Sequence, residues 1–290
     1  MQLRYGFVTE AGRVSEADDG GVVDAGPDRR GRHRAGIRPP TMVEMRPNDA
    51  DAGPFPGLFT QAALDYAAHR PGQPLTLLQA GCTTADGDPD IDRLRATGCV
   101  VAVSLIDDDS LAARATVMAR PDLAACTLGD LRTTPLAPRA FDIVHCALLL
   151  ERISHAELVM DRFVEALKPG GLLLLSTRDR ECAAGFLDRR FPRSLRARNW
   201  RRTRPGEPGP YPAVYEPLAS GRGIQSYATR LGLVIGPRET VHRLASRRRP
   251  RGLLTLSRLV ARLSAGRLTA AHDELRYVIR KPESTFARVL

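Results

Sequence analysis

Residues 163–177, FVEALKPGGLLLLST, decide the fold class more clearly than any other stretch of this sequence. Leu172 to Thr177 is a nearly continuous apolar run, which is typical of a strand buried on both faces. Pro169 cannot continue the preceding helix, and Gly170 and Gly171 allow a sharp turn into the sheet. The stretch therefore predicts a helix that ends at this turn and a central parallel strand that follows it.

The same alternation of short apolar runs and longer amphipathic stretches covers residues 71–177. Each unit is long enough for a right-handed crossover between parallel strands. We therefore predict an α/β fold with a doubly wound, mostly parallel sheet, preceded by one helix that ends at Pro71-Gly72. The predicted strands are Leu75 to Gln79, Val100 to Leu105, Ala124 to Leu128, Phe141 to Cys146 and Leu172 to Thr177, and the predicted helical or irregular stretches are Asp88 to Thr97, Ser110 to Ala119 and His155 to Leu167.

The flanking segments differ in composition from this core. Residues 1–50 mix Gly, Asp, Arg and Pro without an apolar period, so we expect a disordered leader and assign 51–290 to the domain. Residues 179–213 show no stable period, which leaves a lid, a linker or a helix followed by a loop open. Further on we predict a helix at Ile224 to Leu231, a strand at Leu233 to Gly236, an amphipathic helix at Leu253 to Leu263 with Leu256, Leu259, Val260 and Leu263 on one face, and an edge strand at Glu274 to Arg280.

Composition narrows the class of protein. No run approaches the roughly 20 apolar residues of a membrane helix, and the first residues lack the apolar centre of a signal peptide, so we predict a cytoplasmic protein without a membrane partner. The five cysteines contain no Cys-x-x-Cys pair, which argues against a disulfide framework or a zinc site, and we predict no metal.

The net charge of +10 is unevenly distributed along the chain. Residues 178–290 carry 25 Lys and Arg against 9 Asp and Glu, a balance of +16. An anionic partner explains this asymmetry, but so does the Arg bias of a GC-rich coding sequence.

Four segments of the core resemble the class I S-adenosylmethionine-dependent methyltransferases. They are LTLLQAGCTTADGD (75–88), CVVAVSLIDDDSLAAR (99–114), CTLGDLRTTPLAPRAFDIVHC (126–146) and the opening stretch. The resemblance covers about 71–178 and 214–284. It implies a Rossmann-like sheet of seven strands, with the last strand antiparallel beside the fifth. Segments 179–213 and 242–271 are then basic variable segments, the second of them a helical insertion.

The resemblance implies S-adenosylmethionine as cofactor, bound by partly degenerate motifs. Gly81 is the only glycine retained in the first turn, and Ser104 stands where a ribose-binding acid is expected. Asp107 could replace that acid from the loop, although a role as a helix N-terminal acid, together with Asp108 and Asp109, explains it better. Asp130 follows a glycine as the adenine-binding acid does. The positions implied to bind cofactor are Gln79, Ala80, Gly81, Cys82, Ser104, Leu105, Gly129, Asp130, Leu131, His145 and Cys146.

Methyl transfer from a sulfonium is an in-line displacement that needs alignment and, for poor nucleophiles, a general base. His145 and His155 flank the end of the fourth predicted strand and are the candidate bases, although each also fits a purely structural role. Trp200, Tyr211 and Tyr215 are candidates for lining an acceptor pocket or for packing a loop onto the sheet.

We predict methyl transfer to a small-molecule acceptor. Two alternatives stay open: a catalytically inactive binding or scaffold protein with a methyltransferase-like fold, and a nucleic-acid methyltransferase that uses the C-terminal Arg clusters. A nicotinamide dehydrogenase is disfavoured, because Gly-Cys-Thr-Thr-Ala is not a Gly-x-Gly-x-x-Gly fingerprint.

Overall fold

A computed structural model of the protein describes residues 56–81, 88–203, 209–242 and 251–283. The predicted leader 1–50, together with Cys82 and Thr83, lies outside the described residues. The strands are β1 (Leu75–Ala80), β2 (Val101–Asp107), β3 (Leu123–Leu128), β4 (Phe141–Ala147), β5 (Leu167–Arg178), β6 (Val234–Val241) and β7 (Glu274–Arg280). The helices are α1 (Leu58–Ala68), α2 (Ile91–Ala96), α3 (Leu111–Met118), α4 (Ala156–Ala166), α5 (Ala183–Arg190), α6 (Arg193–Thr203), α7 (Gly221–Leu231) and α8 (Arg251–Leu263).

The seven strands form one sheet in the order β3-β2-β1-β4-β5-β7-β6. β1 to β5 are parallel to one another, and β7 lies between β5 and β6 and runs antiparallel to both. The doubly wound α/β class and the antiparallel strand beside the fifth are thus confirmed. The strand order reverses between β1 and β4, and the edge at the carboxyl ends of these strands is where doubly wound folds bind ligands.

Helices cover both faces of the sheet because its central strands are apolar on both sides. On one face α4 and α7 pack Phe163 and Tyr227 against Val144 and Leu175. On the other face α1 and α2 pack Phe59 and Leu94 against the sheet, in a cluster that includes Leu77, Ile143 and Leu174. Helix starts follow side-chain caps, since Asp90 and Ser110 accept hydrogen bonds from the backbone N–H groups three residues later. This packing holds the strand ends that build the site.

Two predictions about single elements are wrong. The Lys-Pro-Gly-Gly segment lies inside β5, which begins at Leu167, and does not form a turn before the strand. The pairing of β4 with β5 shifts its register along this segment. A Cβ on Gly171 would lie 2.9 Å from the carbonyl oxygen of Asp142, so only glycine fits there. β7 is not an edge strand either. Two of its three alternating charges are buried, and Arg276 Nε donates to Glu274 Oε1 at 2.9 Å.

The C-terminal helices also depart from the predicted pattern. Segment 179–213 contains two helices, α5 and α6, where the sequence showed no period. The predicted apolar face of α8 is only partly buried, because Leu259 and Leu263 are exposed. The strand predicted at Leu233 to Gly236 extends to Val241. None of the helices in the described part of the chain is both long enough and apolar enough to cross a membrane.

Candidate functional site

Three strand ends lie side by side at the carboxyl edge of the sheet. The N–H of Gly81 donates to the carbonyl oxygen of Ile106 at 2.9 Å, and the N–H of Gly129 donates to that of Asp107 at 3.0 Å. The turns after β1 and β3 are therefore tied to the end of β2. The structure thus brings together three segments in which sequence comparison placed the cofactor.

Gly81 lies in the turn after β1, against the end of β4. Its φ is +95°, and a Cβ at this position would lie 3.0 Å from the carbonyl oxygen of Ala147 and 3.3 Å from Arg152 Nη2. Any side chain would therefore be strained and would crowd the end of β4. The glycine retained in the first turn thus has a steric reason to be there.

Asp107, rather than Ser104, ends β2. Ser104 pairs with Leu78 and Ala125 in the middle of the sheet, three residues before the strand end. Asp107 is 2% exposed and accepts from Arg152 Nη2 at 2.9 Å through Oδ1 and 3.1 Å through Oδ2. The apolar run of the sequence continues through Leu105 and Ile106, and this signal could have placed the strand end correctly. A buried carboxylate therefore does stand beside Gly81.

Asp108, the next residue, belongs to the same acidic edge. Partial burial and the adjacent carboxylate of Asp107 raise the pKa of Asp108 to about 6. Its N–H donates to Asp107 Oδ1 at 2.8 Å. Arg152 balances this charge: burial opposes its positive charge, yet the nearby Asp107 raises the pKa of the Arg152 guanidinium.

The adenine-side acid, Asp130, is held by its own neighbour. Arg132 donates hydrogen bonds to both carboxylate oxygens of Asp130, from Nε to Oδ1 at 2.9 Å and from Nη2 to Oδ2 at 2.7 Å. These hydrogen bonds lower the pKa of Asp130 to about 2. Asp130 is partly exposed, so it stays accessible at the end of β3.

The other positions implied to bind cofactor are mostly buried in the sheet. Gln79 Oε1 accepts from Arg120 Nη1 at 3.2 Å. Ala80, Leu105, Leu131 and Cys146 are core residues, and burial raises the pKa of the Cys146 thiol above its usual range. Their side chains shape the strands, so any cofactor contact from these positions comes through the backbone.

Neither candidate histidine lines the cavity at the carboxyl ends of β4 and β5. His145 is 1% exposed and packs edge-on against Phe59 beneath α1, with ring centroids 5.5 Å apart. Burial lowers the pKa of His145 to about 3, so the ring is neutral at pH 7 although Nε2 lies 3.6 Å from Asp88. His155 is exposed at the start of α4, where its N–H donates to Glu216 Oε1.

A cavity of about 400 Å³ opens at the carboxyl ends of β4 and β5, beneath α5, α6 and α8. This volume is in the range of small-molecule sites. One wall is aromatic: Trp200 and Tyr211 meet edge to face at 5.5 Å, and the buried Tyr215 lies nearby. Further apolar lining residues include Leu148, Leu187, Phe191, Leu195, Leu253 and Leu256. Trp200, Tyr211 and Tyr215, the candidates for lining a pocket or packing a loop, all line the cavity, and Trp200 does so from α6.

A fixed polar group marks one side of this cavity. Tyr215 Oη donates to Asp188 Oδ2 at 3.0 Å, and Arg196 Nε donates to Asp188 Oδ1 at 2.9 Å. Both side chains are held by these bonds, since Arg196 Nη2 also donates to the carbonyl oxygen of Tyr211. The cavity thus combines apolar walls with a few oriented polar groups, as ligand pockets commonly do.

Glu151 is the buried carboxyl of the cavity floor, and sequence reasoning missed it. It is 7% exposed, and Thr177 Oγ1 donates to its Oε2 at 3.1 Å. Burial raises the pKa of Glu151, an effect that the positive charge of Arg178 partly offsets. Its carbonyl oxygen accepts from the N–H groups of Val214 and Tyr215, which fixes the aromatic loop to the floor. A carboxyl with a raised pKa in a cavity is a candidate proton acceptor.

Arg152 joins the two halves of the site. Its guanidinium binds Asp107 on the side of Gly81 and lies 4.6 Å from the ring centroid of Tyr211 on the side of the cavity. The strand ends fit a nucleoside-bearing cofactor, because Gly81 puts no side chain in the turn after β1 and Asp107 offers the carboxylate that hydroxyl groups of a ribose require. Cofactor edge and cavity are thus adjacent, with one cation between them.

Several known proteins are similar to this chain. The chain is 28% identical over 119 residues to the demethylmenaquinone methyltransferase of Beutenbergia cavernae; the match covers 41% of this chain and 46% of that protein, so it spans less than half of the relative's length. An S-adenosylmethionine dependent methyltransferase from Mesorhizobium loti is 19% identical with a TM-score of 0.46, over 78% of this chain and 99% of the other. The phosphoethanolamine N-methyltransferase 2 of Haemonchus contortus, in complex with S-adenosyl-L-methionine, is 16% identical with a TM-score of 0.43, over 76% and 52% of the two chains.

The family itself rests on the sequence. A model described as a methyltransferase domain matches residues 58–235, which is more than half of the chain. The matched range runs from α1 to the start of β6 and includes every strand end of the candidate site. The protein therefore belongs to the methyltransferase domain family of class I S-adenosylmethionine-dependent methyltransferases.

Proposed function

We propose that this protein methylates a small-molecule acceptor bound in the cavity between α5, α6, α8 and the ends of β4 and β5. The observation that carries the proposal is the adjacency of this cavity to the Gly81–Asp107 edge across Arg152. A ligand of drug size fills a cavity of this volume, whereas a macromolecule would have to insert one side group under three helices.

The cofactor supplies an electrophilic methyl group on a sulfonium, and the chain supplies alignment and a proton acceptor. The carboxyl edge of β1 to β3 holds the nucleoside end through Gly81, Asp107 and Asp130. Trp200 and Tyr211 hold an apolar or aromatic acceptor against the cavity wall. These two sets of contacts bring donor and acceptor together in the in-line arrangement that the displacement needs.

We assign the role of general base to Glu151. A bound cofactor would supply the methyl carbon to the acceptor oxygen or nitrogen, and its sulfur would keep the electron pair of the broken carbon–sulfur bond. The acceptor proton passes to a Glu151 carboxylate oxygen. Thr177 holds that carboxyl in place through its hydroxyl donor. A base of this kind contributes about 10²-fold to 10⁴-fold in rate.

A non-catalytic role is the second candidate, and one observation favours it. Both acids of the cofactor edge already have arginine partners, Asp107 with Arg152 and Asp130 with Arg132. A protein that had lost its cofactor would keep such pairs as structural contacts. Cofactor binding separates the two candidates.

The proposed function is tested with radiolabelled S-adenosylmethionine and two fractions of a cell extract, the small-molecule filtrate and the nucleic acid. Label that enters the filtrate fraction, and is lost in Glu151→Gln, supports the proposal. Label in the nucleic-acid fraction supports the alternative in which the exposed arginines of α6 hold a polyanion. Cofactor binding without label in either fraction, or no binding, favours the non-catalytic role.

A further inference from the structure

Asp107 has little hydrogen-bonding capacity left for a ligand. Its Oδ1 accepts from Arg152 Nη2 at 2.9 Å and from the N–H of Asp108 at 2.8 Å. Its Oδ2 accepts from the same Arg152 nitrogen at 3.1 Å. Each carboxylate oxygen accepts about two hydrogen bonds. Oδ1 is therefore full, and Oδ2 is at least half occupied.

A ribose presents two neighbouring hydroxyls, and a carboxylate that binds both uses one oxygen for each. That arrangement needs one free acceptor position on Oδ1. The N–H of Asp108 cannot give up its position there, because the backbone holds it in place. Arg152 is the partner that can move, since its guanidinium hangs on a flexible side chain. Ribose and Arg152 therefore compete for the same oxygen.

Arg152 has a second place to go. Its guanidinium already lies 4.6 Å from the centroid of the Tyr211 ring, and Arg152 itself lines the acceptor cavity beside Glu151. A cation can remain on an aromatic face after it loses its carboxylate. A rotation about the side-chain bonds is therefore enough to move the guanidinium from the cofactor edge toward the cavity.

We infer that Arg152 is a latch on the cofactor site: it neutralises Asp107 in the cofactor-free protein, and the cofactor ribose displaces it toward Tyr211 and the acceptor cavity. This inference rests on the proposed function, because it requires the cofactor to bind at Asp107. The latch lowers cofactor affinity, since binding must first break a buried ion pair that is 7% and 2% exposed at its two residues. It also frees the Arg152 guanidinium from its carboxylate, at the wall of the acceptor cavity, only after the cofactor is in place.

The test is calorimetric titration of S-adenosylhomocysteine into the wild type, Arg152→Gln and Arg114→Gln. Arg114 forms an exposed ion pair with Asp109 in the same β2–α3 connection, so its variant controls for a lost arginine that does not touch Asp107. We expect Arg152→Gln to bind about tenfold more tightly or better, the equivalent of one hydrogen bond to a charged group, and Arg114→Gln to match the wild type.

The outcomes separate the latch from the proposed function. Unchanged or weaker binding by Arg152→Gln, with wild-type binding intact, overturns the latch and makes Arg152 a residue that positions Asp107. No binding by any of the three proteins contradicts the proposed function and the latch with it. Binding by Arg152→Gln alone supports both.

A second measurement follows the wild type, so it does not depend on whether Arg152→Gln folds. The guanidinium N–H of a buried, paired arginine exchanges slowly and gives a distinct nitrogen-15 NMR signal, which Arg152→Lys identifies by its loss. We expect S-adenosylhomocysteine to shift this signal and to speed its exchange with water. A signal that stays in place at saturating ligand overturns the latch.

Discussion

Replacing Glu151 with glutamine gives the sharpest prediction about the cavity, because it can be checked before any acceptor is known. Glutamine has nearly the same shape, and its amide oxygen can still accept from Thr177 Oγ1. The substitution therefore removes only the titration of a buried carboxyl whose pKa burial raises above the ordinary value of 4.5.

The folded protein holds the Glu151 proton more tightly than the unfolded chain does. The stability contributed by this group is therefore fully present below pH 4.5 and is lost as the pH rises through the folded pKa. In that window the wild type loses up to about 1.4 kcal/mol per pH unit relative to Glu151→Gln, the limit for one proton. Above the folded pKa the difference between the two proteins levels off.

The assay is urea unfolding of both proteins over a pH series. Glu165→Gln, a substitution on the exposed face of α4, gives the baseline for removing a carboxyl outside the cavity. A difference between wild type and Glu151→Gln that does not change with pH would refute the raised pKa. A difference that favours the wild type as the pH rises would refute it too, and with it the reason to choose Glu151 as base.

Three further predictions concern other parts of the site and the fold. Gly81→Ala, with φ at +95° and a Cβ 3.0 Å from the Ala147 carbonyl oxygen, should lower the unfolding free energy by about 1–2 kcal/mol and weaken S-adenosylhomocysteine binding, seen by thermal unfolding and calorimetry. Asp142→Ala removes the buried acceptor of Lys168 Nζ at 2.7 Å and Thr76 Oγ1 at 2.8 Å, at the opposite edge of the sheet. It should cost about 2–5 kcal/mol while cofactor affinity stays unchanged, and altered affinity in protein that is still folded would contradict this separation. Trp200→Ala should raise the KM for the acceptor at least about tenfold and leave cofactor binding intact, because Trp200 lines the cavity from α6, away from the ends of β1 to β3.

The fold could be predicted from the sequence largely because local signals agreed with one another. The apolar runs of β1, β4 and β5 are long, and the helix predicted from Ser110 has its N-cap at that residue. The stretch predicted from Asp88 becomes helical only at Ile91, after the cap Asp90. The interior position of β7 followed from the resemblance and not from its own pattern. Its charges alternate as on an edge strand, yet Glu274 and Arg276 are buried, and the two form an ion pair with each other.

The site was only partly predictable, because its main features are contacts between distant segments. Gly81 and Asp130 stood out by their local motifs. Glu151 was not named as a site residue, since only the fold buries it under the loop that carries Val214 and Tyr215. The strand end at Asp107 was recoverable from the length of the apolar run, but its pairing with Arg152, 45 positions away, was not.

The most direct test of the account is calorimetric titration of S-adenosylhomocysteine into the wild type and Asp107→Asn. Asparagine has the same shape, but it loses the charge and one of the two acceptor oxygens. We predict measurable binding by the wild type and affinity at least about tenfold weaker in the variant, because a charged hydrogen bond to ribose is lost. Equal affinity of the two proteins, or no heat from the wild type at millimolar ligand, would contradict the cofactor site proposed at the carboxyl edge of β2.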